Sequence, residues 1–159
     1  MNCRGLIGAL LPVMLLLVGC QSNAVAGYEY FEKVPEQGWS QGDEFFFSTK
    51  DLDPNKRYDI LLVLRLKKDV PYRLLPLGIT KEFPTRTFET KVLQVGLHSS
   101  DQPNSMRGFN ITEMVSLVET NAHFPHNGVY TYSVRHLSTD SLVQGVMEVG
   151  LIIQPHVVL

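Results

Sequence analysis

A cysteine thiol is a nucleophile that can carry a lipid, and Cys20 stands where such loading happens. It follows Leu17-Val18-Gly19 directly, at the end of an apolar run from Leu6 to Val18 behind a start carrying Arg4. Charged start, apolar core, small residues and cysteine together resemble a bacterial lipobox, in which the thiol takes diacylglycerol, the leader is cut off and the new amino group is acylated, commonly with palmitate. The apolar run falls short of the roughly 20 residues that a spanning helix requires, so it reads as a cleaved leader. An ordinary secretory leader cut after Ala24 or Ala26 is the alternative, and it leaves Cys20 in the discarded piece. One acyl chain binds a bilayer marginally, whereas two or three, at about 0.8 kcal/mol per buried methylene, hold it almost permanently. The expected organisation is a lipoprotein signal peptide over residues 1–19, a lipidated cysteine with a flexible tether over 20–27, and one domain over 28–159.

The other reactive side chains do not assemble into a catalytic pattern. His123 and His126 are a close pair, but Pro125 between them forbids the helix that would put both on one face, and no cysteine or acidic cluster completes a metal set. They read as turn histidines. No serine sits in Gly-x-Ser-x-Gly. Asp43 and Glu44 are neighbours that point to opposite sides of a strand, so they do not pair as acid and base. Lys67 and Lys68, near Arg65 and Arg73, are a small basic cluster at a strand end, solvated or touching anionic headgroups. The expectation is a protein that is not an enzyme, with no metal and no cofactor.

Composition agrees with an exported single domain. Removing the 19 residues before Cys20 leaves 140, a usual size for one domain with its own core. The leader holds one base and no acid, so 13 Lys and Arg remain against 16 Asp and Glu, a balance that argues against nucleic acid. Cys3 leaves with the leader and Cys20 is consumed by lipid, so no disulfide is available and the core must hold the fold.

The elements that would carry these residues are strands. Tyr28 to Phe31 is a plausible first strand, and Asp43 to Ser48 is a run of strand formers after Trp39. Asp53-Pro54-Asn55-Lys56 has turn chemistry. From Tyr58 to Leu66, Ile60, Leu62, Leu64 and Leu66 share one face and Leu61, Val63 and Arg65 the other, which predicts a central strand covered on both sides. Leu75, Leu77 and Ile79 alternate around Pro76, itself expected at an edge, a bulge or a strand start. From Arg86 to Val95, Phe88 and Val92 are expected inward, with Thr87, Glu89 and Lys91 in water. Residues 98–108 have loop composition. Asn110 to Glu119 fits a capped helix or a strand, and the β surroundings favour strand. After the turn signal His126-Asn127-Gly128, Tyr130, Tyr132 and Val134 alternate. Val143, Gly145, Met147, Val149, Leu151 and Ile153 then line a last strand, so Val129 to Ile153 reads as a closing hairpin. Gly145 and Gly150 are expected to mark a bulge or a close approach. The predicted fold is all-β, an antiparallel β-sandwich.

These pieces together resemble the gliding-motility lipoprotein GldH family of Bacteroidetes. The resemblance rests on the lipobox, Trp39 before Phe45, the strand ending in Leu64-Arg65, Pro71-Tyr72 leading into Leu75, Leu77 and Ile79, Phe124-Pro125 before Gly128-Val129-Tyr130, and the ending Gly145 to Ile153. It departs at Leu74-Leu75, where the family often has an asparagine, and at Leu137-Ser138, near the place of a usual Met-Arg pair. The resemblance implies an exported lipoprotein associated with gliding machinery in motile relatives. The expected role is a membrane-anchored, structural or protein-interaction component of the cell envelope, with the membrane and other envelope proteins as partners. Gln21 after the cysteine, with no acidic run behind it, places it at the outer membrane facing the periplasm. A glycan- or lipid-binding module is the alternative, suggested by the aromatics Trp39, Tyr72 and Tyr132. Asp140-Ser141-Leu142 matches an O-glycosylation acceptor pattern of the same bacteria, with a plain turn as the other reading. Asn110-Ile111-Thr112 fits only the eukaryotic pattern.

Overall fold

The computed structural model describes residues 27–49, 52–98, 106–107 and 111–157. Cys20 with its leader, most of the tether and Asn110 lie outside them. The described elements are all strands: β1 Tyr28–Lys33, β2 Trp39–Ser40, β3 Phe45–Thr49, β4 Arg57–Lys67, β5 Leu74–Glu82, β6 Phe88–Gly96, β7 Met106–Arg107, β8 Ile111–His123, β9 Tyr130–His136, β10 Leu142–Val143 and β11 Val146–Pro155. A five-stranded sheet in the order β1-β11-β4-β8-β7 faces a four-stranded sheet in the order β3-β9-β5-β6, with a short β10-β2 ribbon at one end. Every pairing is antiparallel. The fold is an antiparallel β-sandwich.

Period-two alternation builds its interior. Ile60, Leu62, Leu64 and Leu66 of β4 and Val149, Leu151 and Ile153 of β11 meet Leu75, Leu77 and Ile79 of β5, Tyr130, Tyr132 and Val134 of β9 and Phe47 of β3 in one buried cluster. At the His123 end, Phe124 packs edge-on against Tyr58 and Tyr130, with centroids 5.5 and 4.8 Å away. At the other end Trp39, wholly buried, packs against Phe45 and His136, and its indole N–H donates to the Asp43 carbonyl at 3.0 Å. Residues 111–123 are strand, paired to β4 along its length with bulges near Asp59. Within it, Glu113 is bound to Arg65 of β4.

Four expectations are corrected. The closing segment is not a hairpin: β9 pairs with β3 and β5 in one sheet and β11 with β1 and β4 in the other, so residues 137–145 cross between layers. Tyr132 and Leu151 both point into the core, as alternation requires, yet they come from opposite walls. Along β11 the expected parity fails at its start. A bulge between Val146 and Glu148 turns Val146 inward, and Gly145, at φ +90°, precedes the strand. Phe88 and Val92 are exposed, because Leu93 and Val95 take the inward positions opposite Leu77 and Leu75, and a strand has only two faces. Finally, β4 is central, but among the described residues no second layer lies over the face that carries Leu61, Val63 and Arg65. Pro76 is tolerated because it stands just beyond the β9 ladder, where its carbonyl accepts the Leu137 N–H at 2.8 Å. The ladder to β9 begins at Leu77.

The sandwich has two poles. β1 starts at Tyr28, opposite Ile153, and ends at Lys33, opposite Glu148. The chain before β1, where the tether is expected, therefore joins the sandwich at the pole that holds Pro155 and His123.

Candidate functional site

The outer face of the five-stranded sheet is the most built surface of the molecule. Strand pairing puts Lys33, Glu148, Arg65 and Glu113 in one row across β1, β11, β4 and β8. The Arg65 guanidinium donates to Glu113 Oε2 through Nε at 3.0 Å and to Glu148 Oε2 through Nη1 at 2.8 Å. The hydrogen bonds it donates to Glu113 first, then to Glu148, raise its pKa above the ordinary value for arginine. The same guanidinium lies 3.9 Å from the centroid of the Phe31 ring. Phe31 in turn rests on Gly150, where a Cβ would stand 2.3 Å from the ring. The glycine lets an aromatic lie flat on the sheet, and the aromatic supports the cation.

Below this row the face is apolar. Val63, fully buried, lies between Gly150 and Val115, and the next row is Glu29, Ile152, Leu61 and Leu117, with Leu117 52% exposed. Nearest the tether pole, Asp59 accepts hydrogen bonds from Thr120 Oγ1 at 2.8 Å, from the Asn121 N–H at 3.0 Å and from His156 Nδ1 at 2.8 Å. Desolvation pushes its pKa up, but these hydrogen bonds outweigh it and hold the carboxyl below its ordinary value. Asp59 and His156 secure the end of β11.

A model of the family described as "GldH lipoprotein" matches residues 26–153, which span β1 to all but the last residues of β11. The chain belongs to the GldH lipoprotein family. No curated protein matches it. Membership in a lipoprotein family implies membrane anchoring. Among the described residues no helix is long and apolar enough to cross a bilayer.

Within this GldH-family domain the residues singled out from sequence are dispersed. His123 Nε2 sits 2.8 Å from the Pro54 carbonyl, and the His126 N–H donates to the Tyr130 hydroxyl at 2.9 Å, so both serve turns. Among the described residues no group of three or more His, Cys, Asp and Glu is placed to hold a metal. Asp43 accepts from the Ser40 N–H through its carboxylate, while Glu44 is exposed. Lys67, Lys68 and Arg73 are exposed at the pole away from the tether. Trp39 and Tyr132 are core residues and offer no stacking platform; Tyr72 is half-buried. Ser141 is exposed in the link before β10.

Two features were missed. Between Lys33–Gly38, Lys67 and Gln144–Glu148 a cleft of about 770 Å³ opens at the pole away from the tether. Inside the sandwich, Lys81 is 6% exposed and its ammonium lies 4.6 Å from the Phe124 centroid and 5.0 Å from that of Phe83, with Tyr130 and Tyr132 at 5.9 Å. Glu119, 3.9 Å away, is its anion, shared with Lys91 at 3.2 Å. Desolvation lowers the Lys81 pKa despite Glu119. Its signal was present in the sequence, since Lys81 continues the parity of Leu75, Leu77 and Ile79.

Proposed function

We propose that this chain is a lipid-anchored, non-enzymatic interaction component of the cell envelope, held at the outer membrane through Cys20, facing the periplasm, and docking on other envelope proteins through its five-stranded sheet. The observation that carries the reading is the outer face of that sheet. Leu117 is half exposed beside Leu61 and Ile152, while Phe31 and Arg65 are laid flat around them. Side chains already held in this way need little further ordering when a partner binds. Family membership adds the lipoprotein character, and in motile relatives it points to the gliding machinery.

The domain organisation follows the same reading: signal peptide over 1–19, Cys20 with a tether to residue 27, and the sandwich behind it. Cys20→Ala should leave the leader uncut or release the protein from membranes; a normal mature mass in the membrane fraction would contradict the anchor. Co-purification from a native envelope should bring stoichiometric partner proteins, and protease shaving of intact cells should spare the domain.

The polar cleft favours a second reading, a glycan-binding module. It presents the amides of Gln37 and Gln144 and the carboxylates of Glu36 and Asp69, groups suited to hydroxyls. A glycan array that returns a Gln144-dependent ligand, with no protein partners, would favour it over docking. At Ser141 the acceptor pattern and the exposure together suggest glycan attachment. The check is a mass shift on the peptide carrying Ser141, lost in Ser141→Ala.

A further inference from the structure

We propose that the occupant of the five-stranded face is a second copy of this chain, packed sheet to sheet about a two-fold axis that runs parallel to the strands between β11 and β4. The proposal rests on the reading of this face as a docking surface and names its partner. The charges decide the axis. Lys33, Glu148, Arg65 and Glu113 alternate in sign across four strands. A two-fold parallel to the strands reverses the row, so each charge meets its opposite: Lys33 meets Glu113 of the second copy and Glu148 meets its Arg65. A two-fold along the row would set like against like. The rotation that matches the charges also sets Ile152 on Leu61 and Phe31 on Val115 of the second copy, while the outermost pair of the apolar row, Leu117 and Glu29, is mixed. Such an interface is isologous and closes at two copies.

The same axis satisfies a constraint the charges know nothing of. Rotation about a line parallel to the strands leaves the poles where they were, so both copies begin β1 at the same end. Both lipid anchors then enter one bilayer, and confinement to that bilayer raises the effective concentration of each copy for the other. The rejected two-fold would send the anchors in opposite directions.

The test uses the full acylated chain in detergent micelles, with its mass followed by light scattering over a concentration series. A dimer is expected. Lys33 is exposed and, among the described residues, in no ion pair; Lys33→Glu sets a carboxylate against Glu113 of the second copy, at the cost of a like charge opposite Glu148 in its own sheet, and association should weaken by about tenfold or more. Leu117 faces Glu29 of the second copy. Leu117→Glu should therefore dissociate the dimer while Leu117→Lys preserves it, although both remove the same apolar surface. A wild-type monomer at about 100 μM, well above the micromolar-to-picomolar Kd range of standard-sized interfaces, overturns the proposal, and so does equal weakening by Leu117→Glu and Leu117→Lys. The two readings fail separately. A monomer that still brings envelope proteins through this face keeps the docking reading and rejects the second copy. A dimer that brings none keeps the second copy and rejects the wider role.

Discussion

The two outer faces of the sandwich are made from the same kind of strand and finished differently. On the four-stranded sheet, hydroxyls face each other across strands, Ser48 with Thr131 at 3.2 Å and Thr80 with Thr90 at 3.1 Å, and the large apolar residues Phe46, Leu74, Phe88 and Val92 are more than half exposed. On the five-stranded sheet the apolar residues adjoin one another, and the charges are tied down by partners on neighbouring strands. Each face carries a glycine, and these report the difference. A Cβ on Gly78 would meet Arg135 and Leu137 at 3.5 Å, an ordinary contact, while one on Gly150 would be driven into the Phe31 ring. One face is water-facing surface, and the other is packed in the plane of the sheet as a core is packed in depth.

Substitutions can break or sharpen this contrast, each measured by denaturant unfolding of the full chain. Leu151 sets the scale from the inward side of β11, where Leu151→Ala should cost about 2–5 kcal/mol. One residue away on the outer side, Gly150→Ala must displace Phe31 and should cost about 1–3 kcal/mol, whereas Gly78→Ala should be neutral within about 0.5 kcal/mol. Equal effects at the two glycines would erase the difference between the faces. Lys81→Met probes a cation placed inside instead of on a face. Its pKa is lowered, so the protonated form is disfavoured by folding. Wild-type stability should therefore rise as pH climbs from the depressed folded value to the ordinary 10.5, and Lys81→Met should lose that slope. Arg65→Ala removes the stack on Phe31 and two partly exposed ion pairs, a loss of about 1 kcal/mol. Arg135→Ala on the opposite face should cost much less. Smallest of all is Thr131→Ala, expected within about 0.5 kcal/mol of the parent. A collapse there would invert the assignment of inside and outside.

How far the chain could be read in advance depended on the range of the cause. Strand positions in β4, β5 and β9 were legible because a side chain's face follows from its own parity: Ile60 to Leu66, Leu75 to Ile79 and Tyr130 to Val134 are buried as alternation demands. Parity failed where both faces were mixed. In β6, Phe88 and Val92 share one face with Thr90 and Gln94, while Leu93 and Val95 share the other with Glu89 and Lys91. Hydropathy along the strand does not choose between them. The register against β5 does. The inward Glu89 and Lys91 also blunt a strand that pairs on one side only, a common protection for an edge.

The sequence by itself determined what depends on near neighbours. It set the all-β character, the alternating core, the turns at Asp53 and His126 and the family, because each follows from residue type and spacing within a few positions. Tertiary structure alone decided which strands share a sheet. β9 and β11 look like partners because only a short link separates them, yet packing two apolar faces against each other required them on opposite walls. The outer-face network was equally hidden. Arg65 finds Glu113 and Glu148 at distances of 48 and 83 residues along the chain, and Phe31 finds Gly150 farther off still. Such neighbours are created by strand order and register, and those are settled by the fit of the whole core, which no local stretch of sequence contains.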